Sequence, residues 1–75
     1  MKELIEYIAK SISEKPDAVK VTEETEGERV TLTLEVDPED KGSIIGKGGR
    51  VAQAMRTVLR VAAIKKGVRA NLDIA

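Results

Sequence analysis

Seventy-five residues, 35% of them charged, make one small domain near the lower size at which a single core folds alone. The absence of cysteine and histidine excludes a disulfide framework and a thiolate metal site, and removes the commonest general base. A net charge of zero conceals a split: residues 1–40 hold five basic side chains against twelve acidic, and residues 41–75 hold eight against one. The split points either to a polyanionic partner or to two halves that attract each other within the fold.

Leu4, Ile5, Ile8, Ala9 and Ile12 recur at helical spacing and predict a first helix over residues 2–14, stopped by Lys15-Pro16-Asp17. Tyr7, the single aromatic, falls just off that stripe as a boundary residue, with a dimer contact as the alternative. Val19 and Val21 suggest a first strand over 18–24, and Glu26-Gly27-Glu28 reads as a hairpin turn. The clearest strand follows, with Val30, Leu32, Leu34 and Val36 alternating with Thr31, Thr33 and Glu35.

Asp37-Pro38-Glu39-Asp40 is a helix start: Asp37 caps, Pro38 suits the first position, and Glu39 and Asp40 meet the positive end of the dipole. The helix it opens is short, 38–45, because Gly46 ends it. A longer helix runs over 49–66 to Gly67, with Val51, Met55, Val58, Leu59 and Ala62 as its expected core stripe. Gln53, Arg56, Thr57 and Arg60 take the opposite side, where Arg56 and Arg60 read as a solvated face. Ile64 also falls there, as a capping contact or a subunit contact. Val68, Ala70, Leu72 and Ile74 alternate with polar residues as a last strand. The order α-β-β-α-α-β predicts an α+β domain filling residues 1–75, a three-stranded sheet with its helices packed on one face.

Between the second and third helices lies Ile44-Ile45-Gly46-Lys47-Gly48-Gly49-Arg50. It is not a nucleotide-binding P-loop, because Lys41 stands where the first glycine should be and Gly48 follows the lysine. It is not a dinucleotide fingerprint either, because Val51 replaces the third glycine and a helix precedes the loop. An ordinary tight turn also uses glycines. The flanking isoleucines, the two cations and the element order favour a clamp for single-stranded nucleic acid. Gly46 and Gly49 would let a sugar-phosphate chain approach the loop amides, Lys47 and Arg50 would supply cations, and Ile44 and Ile45 an apolar floor for bases.

This stretch resembles the Ile-Gly-x-x-Gly signature of the KH domain, and the element order resembles the type II, prokaryotic arrangement. Nearly the whole chain is similar to the small, free-standing bacterial KH proteins of the KhpA kind. The resemblance implies an RNA groove for about four nucleotides, walled by the second helix, the loop and the start of the third. It implies the strand around Leu32 to Val36 as the facing wall. Gly46, Lys47, Gly48 and Gly49 would grip the backbone, Ile44 and Ile45 meet bases, and Arg50 meet a phosphate; Lys41 and Gln53 complete the candidate set. Self-association, or pairing with a second KH-containing protein, is implied as well, with Tyr7 and Ile64 as candidate dimer contacts. So are post-transcriptional control, RNA chaperoning and a part in coordinating cell elongation or division.

The rival reading is a protein-interaction module that uses a KH fold as a dimer surface. Glu23, Glu24, Glu26 and Glu28 cluster near the hairpin with no partner that would make them catalytic, and they read as solvated, edge-protecting charge. No enzyme, cofactor, metal or small-molecule substrate is expected. No apolar run approaches membrane-spanning length, and Met1-Lys2-Glu3-Leu4 leads straight into an amphipathic helix, so a cytoplasmic setting is expected.

Overall fold

The computed structural model describes residues 1–46 and 49–75. Its elements are α1 (Lys2–Ile12), a 3-10 turn (Pro16–Ala18), β1 (Lys20–Glu26), β2 (Arg29–Glu35), α2 (Pro38–Ile45), α3 (Arg50–Lys66) and β3 (Arg69–Ile74). The chain is thus α+β in the expected order. The sheet order is β1-β2-β3. β1 and β2 are antiparallel about the tight turn at Gly27, while β2 and β3 are parallel, because two helices carry the chain back to the same end of the sheet.

One sheet face is apolar and covered. Val21, Val30, Leu32, Leu34 and Leu72 pack with Ile5 and Ala9 of α1, Ile44 of α2, and Ala52, Met55 and Leu59 of α3. Ile5, Leu32, Leu34, Met55 and Leu59 are less than 2% exposed, each contributing about 1.5–3 kcal/mol of burial. The other face is polar, with Thr22, Glu24, Thr31, Thr33, Asn71 and Asp73 on it, as the alternation requires.

Three boundaries differ from the sequence reading, each with a local cause. α1 stops at Ile12, two residues early: Ser13 donates to the Ala9 carbonyl through its amide and its hydroxyl, and the chain leaves in an extended conformation. The Glu14 and Lys15 amides then donate to Asp40 Oδ1 and Oδ2 at 3.0 and 3.1 Å. Asp40 is 5% exposed. Its carboxylate therefore anchors the connection after α1 to the first turn of α2, beyond the dipole role expected of it. Asp37 does cap, accepting from the Glu39 amide at 3.0 Å. Pro16–Ala18 forms the 3-10 turn, so β1 begins at Lys20 and pairs all the way to the hairpin.

The core stripe of α3 is also rotated from the expected one. Ala52, Met55, Leu59 and Ala63 are buried, whereas Val51 and Ala62 are half-buried and Val58 is 39% exposed. Small alanines sit beneath the sheet because α3 lies close to β3, and the bulkier valines turn toward α1. Val51, Ala54 and Val58 line an apolar hollow of about 320 Å³ with Ile8 and Ile12 of α1.

Candidate nucleic-acid interface

The loop between α2 and α3 is held by its ends. The Gly46 amide donates to Gly42 O at 2.8 Å, and the Gly49 amide donates to Gly46 O at 3.1 Å. A side chain at Gly46 would put its Cβ 2.6 Å from Gly42 O, so the position is closed to any other residue unless the last turn of α2 shifts. Gly49, at φ 70°, is the left-handed residue that redirects the chain into α3. Lys47 and Gly48, both assigned to backbone gripping, lie outside the described residues.

These bonds occupy the Gly46 and Gly49 amides within the loop, which leaves neither as a free donor for a phosphate. The donors on offer are instead those of the first turn of α3. Its N-cap is Gly49, which has no side chain, and no side-chain oxygen among the described residues caps it. Seventeen residues of α3 direct their dipole at this point.

A groove of about 450 Å³ opens beside the loop, lined by Ile45, Gly49, Ala52, Arg56, Asp73 and Ile74. It continues into a second hollow, also about 450 Å³, that shares Arg56 and Asp73 and runs on past Leu59, Arg60 and the Ala70–Asp73 segment. Its facing wall is therefore β3, not the strand of Leu32 to Val36. Leu32 and Leu34 are fully buried in the central strand, with β3 between them and the groove.

The edge of β3 has a defined polarity. The Arg69 amide donates to Glu28 O and the Ala75 amide to Leu34 O, so odd-numbered residues direct their peptide groups at β2. In a parallel ladder the intervening residues face the other way. The amides and carbonyls of Ala70, Leu72 and Ile74 thus face the free edge, where Arg56 Nε donates to Leu72 O at 3.4 Å.

The candidate residues divide accordingly. Ile45 is 47% exposed and forms part of the groove, while its neighbour Ile44 is 2% exposed in the core and cannot meet a base. The two differ by one helical step of about 100°. Lys41 lies one turn before Ile45 on the same side of α2 and is half-buried. Gln53 is exposed, near Arg56 on α3. Arg50 lines the α1–α3 hollow, on another side of α3 from the groove. Among the described residues, the cation lining the groove is Arg56, on a side of α3 that the sequence alone reads as solvated. The helical wheel places Arg56 correctly away from Met55; only the position of β3 shows that this side is a groove wall.

Tyr7 and Ile64 are 73% and 70% exposed, and neither lines the apolar hollow. Ile64 lies about 180° around α3 from Met55. All four ion pairs among the described residues fall within residues 1–40. No ion pair among the described residues joins the acidic half to the basic half, so the cations along α3 and β3 are not neutralised by carboxylates there.

A helix–glycine loop–helix unit opening onto the free edge of a three-stranded mixed sheet, with a helix and two strands preceding it, defines the KH class of domain. A family model described as "KhpA/KhpB, KH domain" matches residues 2–74, and the chain belongs to that family. Similar proteins include one from Clostridium perfringens, 50% identical with 99% of each chain covered, and one from Clostridium acetobutylicum, 49% identical with the same coverage. Another, from Aquifex aeolicus, is 44% identical, covering 99% of this chain and 94% of its own. Each of the three is called RNA-binding protein KhpA.

Proposed function

We propose that the chain is a non-catalytic RNA-binding protein that holds about four nucleotides of single-stranded RNA along the α2–loop–α3 unit and β3, as a post-transcriptional regulator or RNA chaperone. The observation that carries this reading is the groove between the uncapped start of α3 and the free edge of β3. Phosphates meet the first-turn amides of α3 and the Lys47 side chain; bases lie over Ile45 and Ile74. The Leu72 and Ile74 peptide groups offer a donor and acceptor pattern to base edges, and Arg56 adds a cation between the two walls. The names of the relatives support RNA as the ligand.

The test is a double substitution, Lys47→Asp with Gly48→Asp, which puts two carboxylates where a phosphate would pass. Affinity for a four-nucleotide RNA should fall below detection by fluorescence anisotropy while circular dichroism stays unchanged. Unaltered affinity would remove the loop from the site. With three or four cations on phosphates, log K against log salt should slope by roughly −2 to −3.

A second reading, pairing with another copy or another KH-containing protein, draws on a different observation. Leu4 and Ile12 of α1 and Val58 and Val61 of α3 are all exposed, around the hollow between the two helices. Val61 is 50% exposed, so Val61→Glu costs a monomer little. Light scattering should show the variant at half the native mass if this face pairs, and no change if it does not.

A further inference from the structure

Beyond the four-nucleotide groove, the parallel register sets Arg29 of β2 directly beside Arg69 of β3. Their neighbours Val30 and Ala70 are directed to the core side, so both guanidinium side chains leave from the open face. Like charges directly abreast on a sheet repel each other. Neither arginine forms an ion pair among the described residues. The carboxylates nearby are Glu26, in register with Arg29 on β1, together with Glu28 and Asp73.

This pair stands at the end of a continuous path. The loop-side groove shares Arg56 and Asp73 with the middle hollow. The middle hollow shares Arg29 with a third, of about 390 Å³, at the hairpin end of β3. Arg56 and Arg60 come to the edge of β3 from the helix side and the Arg29–Arg69 pair from the open face, along a strand whose six residues span about 16 Å. A row of cations that continues a nucleotide groove matches a ligand whose anionic groups repeat along a chain.

We infer that a single-stranded RNA longer than four nucleotides runs on along β3 and lays its next phosphates on the paired guanidiniums of Arg29 and Arg69. The inference rests on the RNA reading of the groove and extends it to a site the loop does not reach. Two added phosphate contacts should steepen the salt dependence by about 1.4, at about 0.7 for each contact with a single strand. This slope separates added contacts from statistics. An eight-nucleotide RNA offers about five registers to a four-nucleotide site, which raises apparent affinity but leaves the slope alone.

Random-sequence RNAs of four and eight nucleotides are titrated by anisotropy between 50 and 300 mM KCl, with the native protein and with the double variant Arg29→Thr, Arg69→Thr. Threonine suits a strand, and thermal melting of the variant checks its fold. The native slope should be steeper for the longer RNA by about 1.4, and the variant should lose that difference while binding the shorter RNA as before. Equal native slopes, or a difference that survives in the variant, would overturn the extended path and leave the short groove standing. Failure to bind either RNA would overturn both readings.

Discussion

At Gly46 and Gly49 the same residue type is required for two different reasons. Gly46 has ordinary φ and ψ for an extended residue, but a Cβ there meets a backbone oxygen of its own helix at 2.6 Å. Gly49 has open space where a Cβ would go, but its φ of 70° is one that other residues adopt only with strain. Alanine at 49 should therefore cost about 1–2 kcal/mol with α2 undisturbed. Alanine at 46 should cost about 1–3 kcal/mol through overpacking and should also displace Ile45. Urea denaturation reads both losses, and amide shifts in α2 should move for the Gly46 variant alone. Asp40 is the other residue whose identity is set by neighbours far along the chain. It accepts from two amides 26 and 25 positions away, a contact that no local pattern announces.

Among the elements, α3 shows how a helix with three occupied sides misleads a two-sided reading. One side packs on the sheet through Ala52, Met55, Leu59 and Ala63. A second meets the α1 hollow through Val51, Ala54 and Val58, and a third borders the β3 groove through Arg56 and Arg60. Bulk alone favours the valines as core, yet the alanines hold the buried places. Adjacent residues should then respond very differently: Leu59→Ala should cost about 2–5 kcal/mol, and Val58→Ala well under half of that, in equilibrium unfolding. Comparable losses would contradict the rotation of the stripe. β3 is the second telling element. An edge strand beside a helix leaves alternate peptide groups free, and a groove between them acquires backbone donors and acceptors without any special side chain.

For the whole molecule, the charge split becomes a spatial one. β1 carries Glu23, Glu24 and Glu26 along one edge of the sheet, while β3 at the opposite edge lies beside Arg56 and Arg60. The ion pairs within the fold are few and mostly exposed, each worth about 0–1 kcal/mol. Stability should thus change little between 50 mM and 500 mM KCl, whereas RNA affinity should fall steeply over the same range. Thermal melts and titrations run in parallel would check this. A melting point as salt-sensitive as binding would mean that the two halves hold each other together after all.

Much of this was legible in the residues alone. The spacing of apolar side chains named α1, α3 and the three strands, because burial of one face imposes periods of 3.6 and 2 whatever the tertiary arrangement. The Asp-Pro-Glu-Asp start and the helix ends at Gly46 and Gly67 were equally local, since capping is settled within a turn. What the sequence by itself could not determine was which strand borders the loop, which side of α3 is covered, and that Ile45 but not Ile44 is reachable. Those depend on β3 returning parallel to β2 and taking the sheet edge. A contact between residues so far apart in the chain is decided only when the helices close over the sheet.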